Sequence, residues 1–159
     1  MRERTRLTTD TPYTVALAEL DPIRLRGTFP LHLTVGQIAR IVAAEDPDDP
    51  LGPFDVHTVQ YLYEVSTPED REILSFHWRP DASGDDVVTT PHLHIGPAIT
   101  AGQSVLRPRD PHKAHVPTGV IGIVAVVRLA ILEFGVRPLP SNWANILQRA
   151  EDAANGGSL

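Results

Sequence analysis

The sequence VHTVQYLYEVSTPEDREILSFHWR, residues 56–79, decides the fold. In its first half, apolar and aromatic residues alternate with polar ones, and a strand with one buried face has this period of two. Residues 66–70 surround Pro68 with turn-forming side chains, after which apolar residues resume. The stretch therefore predicts two antiparallel strands joined as a hairpin.

Alternation assigns the side chains of this hairpin to two faces. In the return strand, Leu74, Phe76 and Trp78 share one face, because alternate residues of a strand point the same way. These large apolar side chains indicate the core side. We therefore expect His77 and Arg79 on the opposite surface of the sheet.

The segments before the hairpin predict further strands and a helix. Residues 13–20 and 23–29 are rich in strand formers and flank the turn Asp21-Pro22, which indicates another hairpin. Thr34 and Gln37 have the spacing of a capping box, and the apolar residues after Thr34 recur at three and four positions. Residues 34–46 are accordingly predicted to form a helix.

The C-terminal third predicts two more helices. Residues 122–134 are apolar nearly all round and stop at Gly135, which favours a buried helix. Ser141 is a suitable N-cap for an amphipathic helix over residues 141–153. The prediction is an α+β domain with a mostly antiparallel sheet of five to six strands. Its helices, near residues 34–46, 122–134 and 141–153, are placed on one face.

Length and composition limit the class of protein. With 159 residues, 42% of them hydrophobic, the chain fits one domain over residues 1–159 with frayed ends at 1–11 and 155–159. The absence of cysteine excludes disulfides, thiolate zinc sites and a cysteine nucleophile. No secretory signal is predicted, because no apolar run follows the charged N-terminus. No membrane span is predicted either, because Arg128 and Glu133 interrupt the longest apolar run. These features favour a cytoplasmic protein.

A histidine-rich region follows the hairpin. It begins with Pro91-His92-Leu93-His94-Ile95-Gly96 and ends with His112-Lys113-Ala114-His115-Val116-Pro117. Since Leu93 and Ile95 are expected in the core, His92 and His94 should point to the other face. If this strand lies beside the hairpin, they share that face with His77 and Arg79. His115, held extended by nearby Pro117, is a candidate to join them.

Two chemistries suit this group of side chains. In the first, His92, His94 and His115 are imidazole ligands of zinc or another divalent metal. His77 or a carboxylate would be the fourth ligand, and the bound water would be activated for hydrolysis.

The second chemistry needs no cofactor and is the favoured prediction. One neutral histidine accepts a proton from a ribose hydroxyl, and a second, protonated histidine gives one to the leaving oxygen. The predicted catalytic residues are His92, His94, His115, Arg79 and Lys113, and Arg107 or Arg109 would help to hold the phosphate. The net charge of −6 disfavours a broad nucleic-acid surface, but residues 92–115 are locally basic.

The order of these features resembles the TumE-like toxins of bacterial toxin–antitoxin systems. The resemblance covers residues 56–135: a strand with Tyr61 and Tyr63, the strand end Arg79-Pro80-Asp81, the pair His92-x-His94 and a closing helix. It implies a small cytosolic toxin, a ribonuclease acting on RNA, that pairs with an antitoxin-like protein. Arg79, Asp81, His92 and His94 are the positions that it transfers. The 55 residues before the matched region and the element His112-Lys113-x-His115 depart from the family layout.

A non-catalytic interaction module is the remaining alternative. The apolar surface of residues 122–134 is wider than one core covers, so it would bind a protein partner or a second copy of the chain as a homodimer.

Overall fold

Seven strands form one antiparallel sheet in the computed structural model, which describes residues 8–44, 52–84, 88–96 and 115–156. The strands are β1 (Pro12–Ala16), β2 (Ile23–Leu25), β3 (Leu31–Ala43), β4 (Phe54–Ser66), β5 (Glu72–Trp78), β6 (His92–Ile95) and β7 (His115–Pro117). Their order is β1-β3-β4-β5-β6-β7. Strand β2 pairs with the same side of β3 as β1 does, nearer the N-terminal end of β3. Two helices follow, α1 (Ile123–Leu132) and α2 (Trp143–Gly156). The architecture agrees with the predicted α+β class, although the sheet has more strands than expected.

The central hairpin is confirmed. Strands β4 and β5 pair antiparallel with Tyr61 opposite Trp78 and Tyr63 opposite Phe76. The two tyrosine rings stack with centroids 4.8 Å apart, and they are 2% and 1% exposed. Together with Val126 of α1 they belong to the core, which lies on the face predicted from the alternation.

The predicted helix over residues 34–46 is wrong, because residues 34–43 belong to β3; residues 45 and 46 lie outside the described part of the chain. Leu31, Leu33 and Val35 are all buried, and this period of two continues the pattern of a strand. Strand β3 pairs with β4 along nearly its whole length and with β1 and β2 on its other side. Hydrogen bonding on both edges, with β-branched side chains that suit a sheet, outweighs the local capping pattern.

The predicted hairpin over residues 13–29 is also wrong. Strands β1 and β2 do not pair with each other; both run antiparallel to β3, one after the other. The intervening turn, Leu17–Leu20, lies against β3, where a Cβ on Gly36 would come within 2.9 Å of the Leu20 side chain. Glycine at this position therefore leaves room for the Leu20 side chain.

Both helices lie on the core side of the sheet, close to their predicted ranges. Val126 and Ala130 of α1 are buried, and Trp143 of α2 lines an apolar cavity with Leu33 of β3. An ion pair between Arg128 and Glu151, with 2.6 Å between nitrogen and oxygen, links the helices. In the part of the chain that the structure describes, neither helix has the length and apolar character needed to span a membrane. The opposite face of the sheet carries the histidines.

Candidate metal centre

Strand pairing brings four histidines onto one face. His77 of β5 is directly opposite His92 of β6, and His94 of β6 is directly opposite His115 of β7. The intervening Leu93 is opposite Phe76, so it points to the core side. The face predicted from the alternation is therefore confirmed for His77, His92 and His94, and His115, a candidate to join them, lies on the same face.

The four rings form a contiguous cluster. Their centroids are 4.5 Å apart for His77 and His94, 4.9 Å for His92 and His94, and 5.7 Å for His77 and His92. The ring of His115 lies 4.8 Å from that of His92 and 4.7 Å from that of His94. Such spacing brings imidazole rings from three adjacent strands together on the sheet.

Three of the histidines converge through their nitrogen atoms. One nitrogen from each of His77, His92 and His94 lies within 4.8 Å of the other two. The Nε2 atoms of His92 and His94 are only 3.0 Å apart. The prediction placed His77 as one option for a fourth ligand, whereas the geometry includes it in the closest set of three.

Hydrogen bonds determine which nitrogen of His92 is free. Its Nδ1 atom lies 2.7 Å from the carbonyl oxygen of Thr90, which can only accept, so Nδ1 carries the proton and donates. In a neutral ring the lone pair is then on Nε2, which points at His94. A histidine that ligates a metal usually donates its other N–H in this way, to a backbone carbonyl or a carboxylate.

A buried serine orients His77. Ser75 precedes it by two residues on the same face of β5, and its side chain is 0% exposed. The Ser75 Oγ atom is 3.0 Å from Nε2 of His77. Alternation alone put this serine beside the histidine, whereas the role of the Thr90 carbonyl has no sequence signal because every residue has a carbonyl.

Burial keeps two of the rings neutral. It lowers the pKa of His77 to about 4, helped by the neighbouring His94, His92 and His115 rings and by Arg79. Burial also lowers the pKa of His94 to about 4, with His115 and His92 adding to the effect. Both imidazoles are thus unprotonated at neutral pH, which is the form that binds metal ions and accepts protons.

The histidines line a solvent-accessible cleft of about 470 Å³. Arg79 and Asp81, which follow β5, line it as well, together with Ser83 and Val88. The positions singled out by sequence, Arg79, Asp81, His92, His94 and His115, therefore meet in one cleft. Lys113, Arg107 and Arg109 lie outside the described residues.

Comparison with protein-family models, curated proteins and solved structures gave no match for this chain. Function is therefore inferred from the chemistry of the cleft.

Proposed function

We propose that this protein is a metal-dependent hydrolase in which His77, His92 and His94 bind one divalent transition-metal ion. The observation that carries the proposal is the convergence of three imidazole nitrogens within 4.8 Å at the wall of an open cleft. Zn²⁺ bound by three protein ligands, with water in the fourth position, is the usual arrangement of a catalytic zinc site.

The nitrogen distances suit such an ion. Two nitrogens bound tetrahedrally to zinc at 2.0–2.1 Å lie about 3.3 Å from each other. The Nε2 atoms of His92 and His94 are 3.0 Å apart, close to this value. The widest separation allowed within the group, 4.8 Å, exceeds the tetrahedral value by about 1.5 Å.

The ligand type indicates which metal binds. Three imidazoles suit Zn²⁺, Cu²⁺, Ni²⁺ and Co²⁺, whereas Mg²⁺ and Ca²⁺ prefer oxygen ligands. Zinc would act as a Lewis acid and lower the pKa of its bound water towards 7. The hydrogen bond from His92 to the Thr90 carbonyl and the contact between Ser75 and His77 would keep the ligands oriented.

Arg79 supplies a group that would bind an anionic substrate in the cleft. Arg79 lines the same space as the three ligands, and a guanidinium binds phosphate or carboxylate through paired hydrogen bonds. A phosphodiester or another ester with a negative charge near the scissile bond fits both groups.

Hydrolysis assays test this function. Zinc-loaded protein should cleave chromogenic phosphodiesters or carboxylic esters, and removal of zinc by a chelator followed by its return should abolish and restore the activity. His94→Ala should abolish it, whereas His57→Ala, which alters an exposed histidine of β4 outside the cluster, should not. Activity that survives both the chelator and His94→Ala would refute the proposal.

Metal-free ribonuclease activity is a second candidate, which the position of Arg79 in the cleft favours. It requires a protonated histidine as acid, a form that burial disfavours for His77 and His94 by lowering the pKa of each to about 4. RNA cleavage in the presence of a chelator would support this candidate. Growth arrest on expression, relieved by a partner protein, would support the predicted toxin.

A further inference from the structure

His115 is held less firmly than the other histidines of the cleft. It lies on β7, a strand of three residues that ends the sheet in the described part of the chain and pairs with β6 through three residue pairs, and His115 is exposed. His92 is 5% exposed and hydrogen-bonded to Thr90. Rotating the His115 ring away from the cluster therefore loses less packing than moving His92.

The His115 ring is nevertheless close to the proposed ligands. Its centroid is as near to His92 and His94 as those two rings are to each other, at 4.7–4.9 Å. Its nitrogens do not belong to the group that lies within 4.8 Å, which contains His77, His92 and His94. His115 is thus beside the three-histidine site without completing it.

These positions allow two coordination states. With three imidazoles, a tetrahedral ion retains one place for water, and with four it has none. A short rotation of His115 towards His92 and His94 would fill that place, and a rotation away would open it.

We infer that His115 is a displaceable fourth ligand, which closes the proposed metal site at rest and yields its place to water or to an anionic group of the substrate. This inference rests on the proposed function, because His115 has nothing to close unless the other three histidines bind a metal. It separates the roles of the four histidines: His77, His92 and His94 hold the ion, and His115 controls access to it.

Anion binding to the cobalt-substituted protein tests the inference. Co²⁺ absorbs visible light according to its ligands, so azide can be titrated into wild type, His115→Ala and the control His57→Ala. If His115 occupies the fourth position about 90% of the time, azide should bind wild type about tenfold more weakly than His115→Ala, since only the open fraction is competent. His57→Ala should match wild type.

A second variant, His115→Gln, retains a polar side chain without an imidazole and should also bind azide more tightly than wild type. X-ray absorption should count four imidazoles in resting wild type and three in His115→Ala. Equal azide affinity in wild type and both His115 variants, or no azide response in any of them, would overturn the displaceable ligand while leaving the three-histidine site intact. Failure of wild type to bind Co²⁺ would instead refute the metal site itself.

Discussion

Gly96→Ala should damage both the sheet and the histidine site, because no space exists for a side chain at the end of β6. A Cβ at Gly96 would lie 2.0 Å from the carbonyl oxygen of Glu72, and real Cβ contacts are essentially never shorter than 3.0 Å. The end of β6 would have to move at least about 1 Å from β5. The hydrogen bond from Gly96 N to Ile73 O, now 2.8 Å, would then be broken.

The expected loss of stability follows from these two effects. Overpacking costs about 1–3 kcal/mol, and a lost backbone hydrogen bond costs about 1 kcal/mol. Together they lower the free energy of unfolding by about 2–4 kcal/mol, equivalent to about 4–16 °C in Tm for a chain of this size. Because β6 carries His92 and His94, zinc affinity should fall as well.

Thermal unfolding and zinc titration of Gly96→Ala measure both consequences. Gly119→Ala is the matched control, since a Cβ there meets no atom within 4 Å. Gly119→Ala should unfold and bind zinc like wild type. If Gly96→Ala does so too, the close approach of β6 to the Glu72 carbonyl is wrong, and with it the placement of the histidine pair against β5.

Three further predictions concern the site and the core. His92→Ala should lower zinc affinity at least about a hundredfold in calorimetry, because removing even the hydrogen-bond partner of a metal ligand lowers metal affinity about 10–100-fold. His57→Ala should leave zinc affinity unchanged. The free energy of unfolding of the metal-free protein, measured in urea, should fall as pH is lowered from about 6.5 to 4. In this range His77 and His94 bind protons only in the unfolded chain, because their pKa in the folded protein is about 4. Above about pH 6.5 the free energy of unfolding should no longer depend on these two histidines. Tyr63→Phe should lower the free energy of unfolding in urea by about 1–2 kcal/mol. The substitution leaves Oε1 of Gln37, now 2.9 Å from the Tyr63 hydroxyl, without its hydrogen-bond donor.

The sequence was sufficient for the hairpin β4–β5 and for the face of the histidines. Both depend on a period of two with large side chains on one side, such as Tyr61, Tyr63 and Trp78. Only that side of the hairpin can be buried in the core, so the opposite side carries the histidines. Placing Leu93 in the core was enough to turn His92 and His94 towards His77.

Strand β3 could not be predicted in the same way. Val35, Ile38 and Ile41 fit a helical spacing as well as a strand rich in β-branched residues, and local sequence does not decide between them. The choice is made by pairing with β1, β2 and β4, all of which lie outside residues 34–46.

The distances between the histidine nitrogens could not be predicted from the sequence pattern either. Alternation placed three histidines on one surface, but the convergence of the nitrogens of His77, His92 and His94 depends on strand register and side-chain rotation. The orienting carbonyl of Thr90 depends on the path of the backbone before β6.

Zinc stoichiometry tests the central claim most directly. Protein stripped of metal and titrated with Zn²⁺ in a calorimeter should bind one equivalent per chain, and single substitutions of His77, His92 or His94 by alanine should each abolish tight binding while the fold persists. Wild type that binds no zinc, or binding that survives all three substitutions, would contradict the three-histidine metal site.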